Sequence, residues 1–151
     1  MRDDGLYLFD DADAELTLLP MAARRALDLA CRHLSLQGWQ TLELAVRREL
    51  TALGAAESVD VAAVAQCLAR AGQASREVEA FAEPSAALLP PELSIALGSA
   101  RPLTQTQWSA LHALDRYVLV KHARRGKHER LQRAYDEIVS AGTATGPNDK
   151  P

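Results

Sequence analysis

The sequence predicts an all-α protein, a single compact domain of about five helices. Three observations point there. Alanine is abundant and β-branched residues are scarce, which favours helix over strand. Apolar residues recur at spacings of three and four along most of the chain, as one buried helix face requires. Residues suited to opening helices (Pro20, Ser35, Ser58, Thr104) alternate with glycines suited to closing them (Gly54, Gly72, Gly126).

The chain opens with an acidic arm, residues 1–15, holding six acids, one base and the apolar island Leu6, Tyr7, Leu8 and Phe9. It shows no helical period, so an extended arm packing its island onto the body is expected. The helical domain spans 16–140. Its first helix starts at Pro20, where a missing N–H removes no helical bond. Ala23, Leu27, Ala30, Cys31 and Leu34 form its inner stripe, and Arg24, Arg25, Asp28 and Arg32 its solvated face.

Ser35 suits the N-cap of a second helix, with Trp39, Leu42, Val46, Leu50 and Leu53 inside and Gly54 as its C-cap. Ser58 opens a third, burying Val61, Val64, Ala65, Leu68 and Ala71 until Gly72, with polar helix able to continue towards Glu79. From Phe81 to Pro102 prolines and glycine interrupt the pattern. That stretch reads as a long connection with one short helix at Pro91 to Leu97, anchored by Leu88, Leu89, Ile95 and Leu97. Thr104 and Gln107 form a capping box for a helix that buries Trp108, Leu111, Leu114 and Val118 and runs to about Ala123. After Gly126 a last helix from His128 presents Leu131, Tyr135, Ile138 and Val139. Residues 141–151 read as a disordered tail.

HLSLQGWQTLELA and PLTQTQWSALHAL align on the only two tryptophans, Trp39 and Trp108, and this alignment sets Arg47 opposite Arg116. A pseudo-repeat of two helical hairpins is one reading of that match.

Bulk chemistry excludes several classes. At 48% apolar and 25% charged the composition is that of a globular chain. A net charge of −3 argues against nucleic-acid binding driven by overall charge. No apolar run has the length of a membrane span, and Asp3, Asp4, Asp10 and Asp11 conflict with a signal peptide. Cys31 and Cys67 form no CxxC, so a reducing, cytoplasmic setting is expected. His33, His122 and His128 lack the spacing of a metal site, and Asp115 reads as a structural ion-pair partner for Arg47, Arg116 or Lys121. No catalytic residue, metal or cofactor is expected.

The segment KHARRGKHERLQR, residues 121–133, carries six cations against Glu129, a set suited to phosphate or an acidic surface. No stacking aromatic lies inside it, which argues against RNA.

Two segments also resemble a known family. LPMAARRALDLACRHLSLQGWQTL has a Pro-Met entry, an Arg, a Leu-Asp pair and a Leu-x-Leu-x-x-Trp turn: Pro20, Met21, Arg25, Leu27, Asp28, Leu34, Leu36 and Trp39. PLTQTQWSALHALDRYVLVKHAR adds Pro102, Leu103, Trp108, Arg116, Tyr117, Leu119 and Lys121, and Phe9-Asp10 lies in the arm. These resemble the nitrate reductase associated proteins. The resemblance implies association with nitrate assimilation, as a factor needed for active nitrate reductase in maturation or cofactor loading. It carries over no catalytic residues. With no catalytic motif in the sequence, the expected reading is a non-enzymatic accessory factor acting through protein–protein contact. The expected contact residues are Asp10, Asp11, Arg116, Lys121, Arg124 and Arg125, with nitrate reductase or its cofactor-assembly proteins as partner. The rival reading is a small anionic ligand or nucleotide held by the basic turn 121–133. Homodimerisation through the Ala-rich helix Val61 to Ala71 stays open.

Overall fold

A computed structural model describes residues 4–72 and 75–140. The all-α class holds: the described residues form eight α-helices and one two-residue antiparallel ribbon. The chain divides into two compact units, Met1–Glu83 and Pro84–Pro151. The expected tail, 141–151, lies outside the described residues.

In the first unit Leu6 and Tyr7 are buried, while Leu8 stays largely exposed in a single 3-10 turn, Leu8–Asp10. Helix α1 is Met21–Leu29, entered through Pro20 as its N-cap. It ends earlier than its stripe predicts. Cys31 adopts φ +59, a left-handed value that stops a helix, and β1, Arg32–His33, follows. β1 pairs with β2, Arg76–Glu77, Arg32 facing Glu77 and His33 facing Arg76. Polar helix therefore does not continue to Glu79.

The expected second helix is two helices. α2, Leu36–Thr41, is capped by Ser35, whose hydroxyl accepts from the Gly38 N–H at 2.9 Å. The backbone turns extended at Leu42 (ψ 148). α3, Leu44–Ala55, then packs along α1. Gly54 is not a C-cap but an interior residue at the crossing. A Cβ there would stand 1.6 Å from the Ala22 carbonyl oxygen, so only glycine lets the two backbones meet. α4, Val61–Ala71, is capped by Asp60 rather than Ser58, because the Asp60 carboxylate accepts from the Ala63 N–H at 3.0 Å. It closes at Gly72 with φ +69. Val64, Cys67 and Leu68 face the core, whereas Val61, Ala65 and Ala71 are exposed.

The second unit repeats this order. α5, Pro91–Leu97, follows a proline N-cap and buries Leu93 and Leu97, leaving Leu88 and Ile95 exposed. α6, Gln105–Ala110, carries the capping box of Thr104 and Gln107. The chain breaks at Leu111 (ψ 151), and α7, Ala113–Arg124, is buried over most of its length, as a helix apolar on several faces must be. α8, His128–Tyr135, ends in a π turn, Asp136–Ser140. The Tyr135 hydroxyl donates to the Pro102 carbonyl, and burial, with the Asp136 charge adding to it, pushes that phenol above its ordinary pKa.

The pseudo-repeat is present in the geometry. Leu36 and Gln105, Leu44 and Ala113, Trp39 and Trp108, and Arg47 and Arg116 are each 69 residues apart. Both tryptophans are fully buried, and each indole N–H donates to a carbonyl 23 residues earlier: Trp39 to Leu16 at 2.7 Å, Trp108 to Ser85 at 2.9 Å. Arg47 donates to the Leu42 carbonyl, and Arg116 to the Leu111 carbonyl, each five residues back at the break between two helices. Each break leaves a carbonyl that no helix satisfies, and the arginine supplies the donor.

Candidate functional site

The six residues expected to contact a partner separate into groups with different surroundings. Asp10 is half-buried, and both of its oxygens are engaged. Oδ2 accepts from the Tyr7 N–H at 2.9 Å and Oδ1 from the Met21 N–H at 3.0 Å, which ties the arm to the first turn of α1. An acid suits that place, because the first amides of a helix have no internal acceptor. Asp11 is exposed, with φ +50.

On α7, Arg116 is 7% exposed and turned to the Leu111 carbonyl. Lys121 is half-buried. Arg124 and Arg125 are exposed, and Arg124 Nε lies 3.5 Å from Glu92 Oε1 of α5. The outward cations continue beyond them: Lys127 and Arg130 are exposed, as is His128. The surface-directed part of the expected set is thus Asp11, Arg124 and Arg125, joined by two cations that follow the turn.

The largest departure from expectation is Arg25, assigned by periodicity to a solvated face. It is 0% exposed. Its guanidinium donates to the carbonyls of Gly54 at 2.8 Å, Ala56 at 2.5 Å and Glu57 at 3.0 Å, and Nε pairs with Glu83. A planar fork with five donors closes the C-terminal end of α3, where carbonyls have no helical partner. The signal that could have located it is Gly54: a close helix crossing brings the neighbouring residues of α1 to the end of α3.

Arg47 likewise turns inward, donating to the carbonyls of Glu15 at 2.6 Å and Leu16 at 3.3 Å as well as Leu42.

Cavities lined by described residues of the first unit include two of similar size. One, of about 470 Å³, is lined by residues that include Leu6, Leu16, Asp4, Asp13, Arg48 and Thr51. The Thr17 hydroxyl and N–H hold the Asp13 carboxyl below the ordinary value. The other, of about 440 Å³, includes Leu42, Val46, Glu49 and Arg70, the last two paired at 2.5 Å. Beside that pair burial pushes the Cys67 thiol up to about 11, so it stays protonated and weakly nucleophilic near neutral pH. Among the described residues no three His, Cys, Asp or Glu side chains converge on a metal position. Nor is any described helix long and apolar enough to cross a membrane.

Charge is divided unevenly between the units. Residues 1–83 hold 14 acids and 8 Lys or Arg, a net of −6, and residues 84–151 hold 6 acids and 9 Lys or Arg, a net of +3. The exposed basic turn between α7 and α8 lies in the positive unit.

The family described as conserved nitrate reductase-associated protein matches residues 7–138, most of the chain. The chain belongs to that family. Nothing among curated proteins or solved structures matches it. Several residues on which the resemblance is read have physical roles in the fold. Pro20 opens α1, Arg25 closes α3, Trp39 and Trp108 hold upstream carbonyls, and Arg116 holds the break before α7. Tyr117 and Leu119, on which the resemblance also rests, are fully buried.

Proposed function

We propose that this protein is a non-catalytic accessory factor of nitrate reductase, working in the cytoplasm through protein–protein contact during maturation or cofactor loading of the enzyme. The family supplies the association with nitrate reductase. The observation that carries the contact mechanism is the division of charge, −6 in one unit and +3 in the other, with the cations of Arg124 to Arg130 exposed. Oppositely charged surfaces steer encounter and select partners more than they add affinity. The family-pattern arginines and tryptophans contribute by fixing the backbone that displays these charges.

The test is capture of partners by the tagged full-length protein from cells of its own source grown on nitrate, with mass spectrometry of what is bound. Recovery of the nitrate reductase catalytic subunit, or of a protein of its cofactor assembly, in a salt-sensitive manner is the expected result. Recovery of neither from cells rich in the reductase would overturn the reading.

A further inference from the structure

We infer that the turn joining α7 to α8, together with Ile95 of α5, is a docking site for an acidic protein segment bearing an apolar anchor. The inference deepens the accessory reading and rests on it only for the identity of the partner.

Arg124, Arg125, Lys127 and Arg130 are all exposed, with Glu129 the single acid among residues 124–130. Among the described residues, no ion pair or side-chain hydrogen bond involves Arg125, Lys127 or Arg130. Lys127 is the N-cap of α8 and offers no side-chain acceptor to its first amides, so the helix start adds positive potential to the turn.

An apolar group stands beside these charges. The contact between Arg124 and Glu92 joins the end of α7 to α5. Glu92 and Ile95 are three residues apart on α5 and so share a face. Ile95 is 79% exposed, the most exposed large apolar side chain among the described residues.

A small anion would use the cations but not the isoleucine. A nucleic-acid strand would want stacking rings, whereas Trp108, Tyr117 and Tyr135 of this unit are buried. An anionic membrane would want a broad apolar face, and one isoleucine does not supply it. A peptide of glutamates or aspartates with a leucine-like side chain at one position uses both elements at once. Its carboxylates meet guanidinium groups that hold them in charge-assisted hydrogen bonds.

The experiment uses the full chain and a fluorescein-labelled peptide of alternating glutamates with two leucines, read by anisotropy. Its controls are the same peptide with glutamine for glutamate, inorganic phosphate as competitor, a labelled single-stranded oligonucleotide, and phosphatidylserine vesicles. The acidic peptide is expected to bind, more weakly as salt rises towards about 0.15 M. Lys127→Glu with Arg130→Glu should weaken it about tenfold or more, and Ile95→Ser severalfold, with thermal unfolding unchanged.

Equal binding of the glutamine peptide, full displacement by phosphate, or an intact response in the charge-reversed protein would overturn the site. So would binding of the oligonucleotide or vesicles with no binding of the peptide. Partner capture separates the two readings. If the charge-reversed protein still recovers nitrate reductase, the docking site is wrong and the accessory role stands. If the parent binds peptide but never recovers the reductase, the role is wrong and the site stands.

Discussion

Arg25 of α1 donates to the carbonyl of Gly54 in α3 at 2.8 Å, at the place where Gly54 itself admits the Ala22 backbone. One crossing thus combines a missing side chain and a buried cation. The glycine lets the helices approach, and the approach brings the arginine to carbonyls that α3 cannot satisfy by itself.

Gly54→Ala should be severely destabilising. The added methyl would have to displace backbone, the Ala22 carbonyl, rather than a flexible side chain. A loss on the order of 3 kcal/mol or more is expected. Urea unfolding with the midpoint lowered and the slope kept would show it. An unchanged midpoint would mean that the crossing is looser than described.

Replacing Arg25 by Met should cost about 3–5 kcal/mol, because Glu83 and three carbonyl groups lose their donor together. Lysine should recover little, since one ammonium cannot reproduce a planar fork. Glu83→Gln should cost much less, its side chain being 29% exposed and able to turn to water. Equal stability of the Lys variant and the parent would refute the role assigned to the fork.

Much of this fold was readable from short-range chemistry. Ser35 and Thr104 declare their helices because a hydroxyl accepting a backbone N–H is a local event, and α5 followed from Pro91 in its first turn and Gly98 after its end. The breaks at Leu42 and Leu111 were not readable. They depend on Arg47 and Arg116, which fill ordinary helix positions in the sequence and act only after folding back five residues. Arg25 failed for the same reason, since periodicity assigns a face without knowing what that face meets. The basic turn was readable because charge density needs no tertiary partner to be seen. Asp10 looked like part of an acidic surface until its two backbone donors were located.

Trp108 is a core residue by burial and by its hydrogen bond to Ser85. Trp108→Ala should lose on the order of 3–5 kcal/mol. Trp108→Phe keeps most of the apolar volume but orphans the Ser85 carbonyl, a loss of about 1–2 kcal/mol. Trp39→Phe should fall in the same range, given the matching bond to Leu16. Full stability of Trp108→Ala combined with lost partner capture would instead make this tryptophan an interface residue.

The two neighbouring acids of the arm should separate by experiment. Asp10→Ala removes acceptors for the Tyr7 and Met21 amides and should cost about 1–2 kcal/mol, as losing a helix cap does. Asp11→Asn suits the left-handed backbone at φ +50 and should cost less stability than the Asp10 change, while lowering partner capture through the lost charge. Thermal unfolding of both variants decides. Greater destabilisation by the Asp11 change would reverse the assignment.

Stability should fall on the alkaline side in a way that depends on Cys67. Burial, reinforced by Glu49, raises this thiol from 9.0 to about 11 in the folded chain. Between those values the unfolded chain releases the thiol proton while the folded chain retains it, so the folded state binds more protons and loses stability as pH rises. The contribution is complete below pH 9.0 and fades through about 11. Cys67→Ala removes it. Urea midpoints of parent and variant, compared at about pH 8 and about pH 10.5, should show the parent's advantage shrinking at the higher value. Taking the difference cancels the contribution of every other titrating group, because both proteins carry them. At pH 8 a thiol reagent should modify the half-buried Cys31 before Cys67. A parent-to-variant difference that stays constant with pH, or first modification at Cys67, would show that the thiol is not held in the buried setting described.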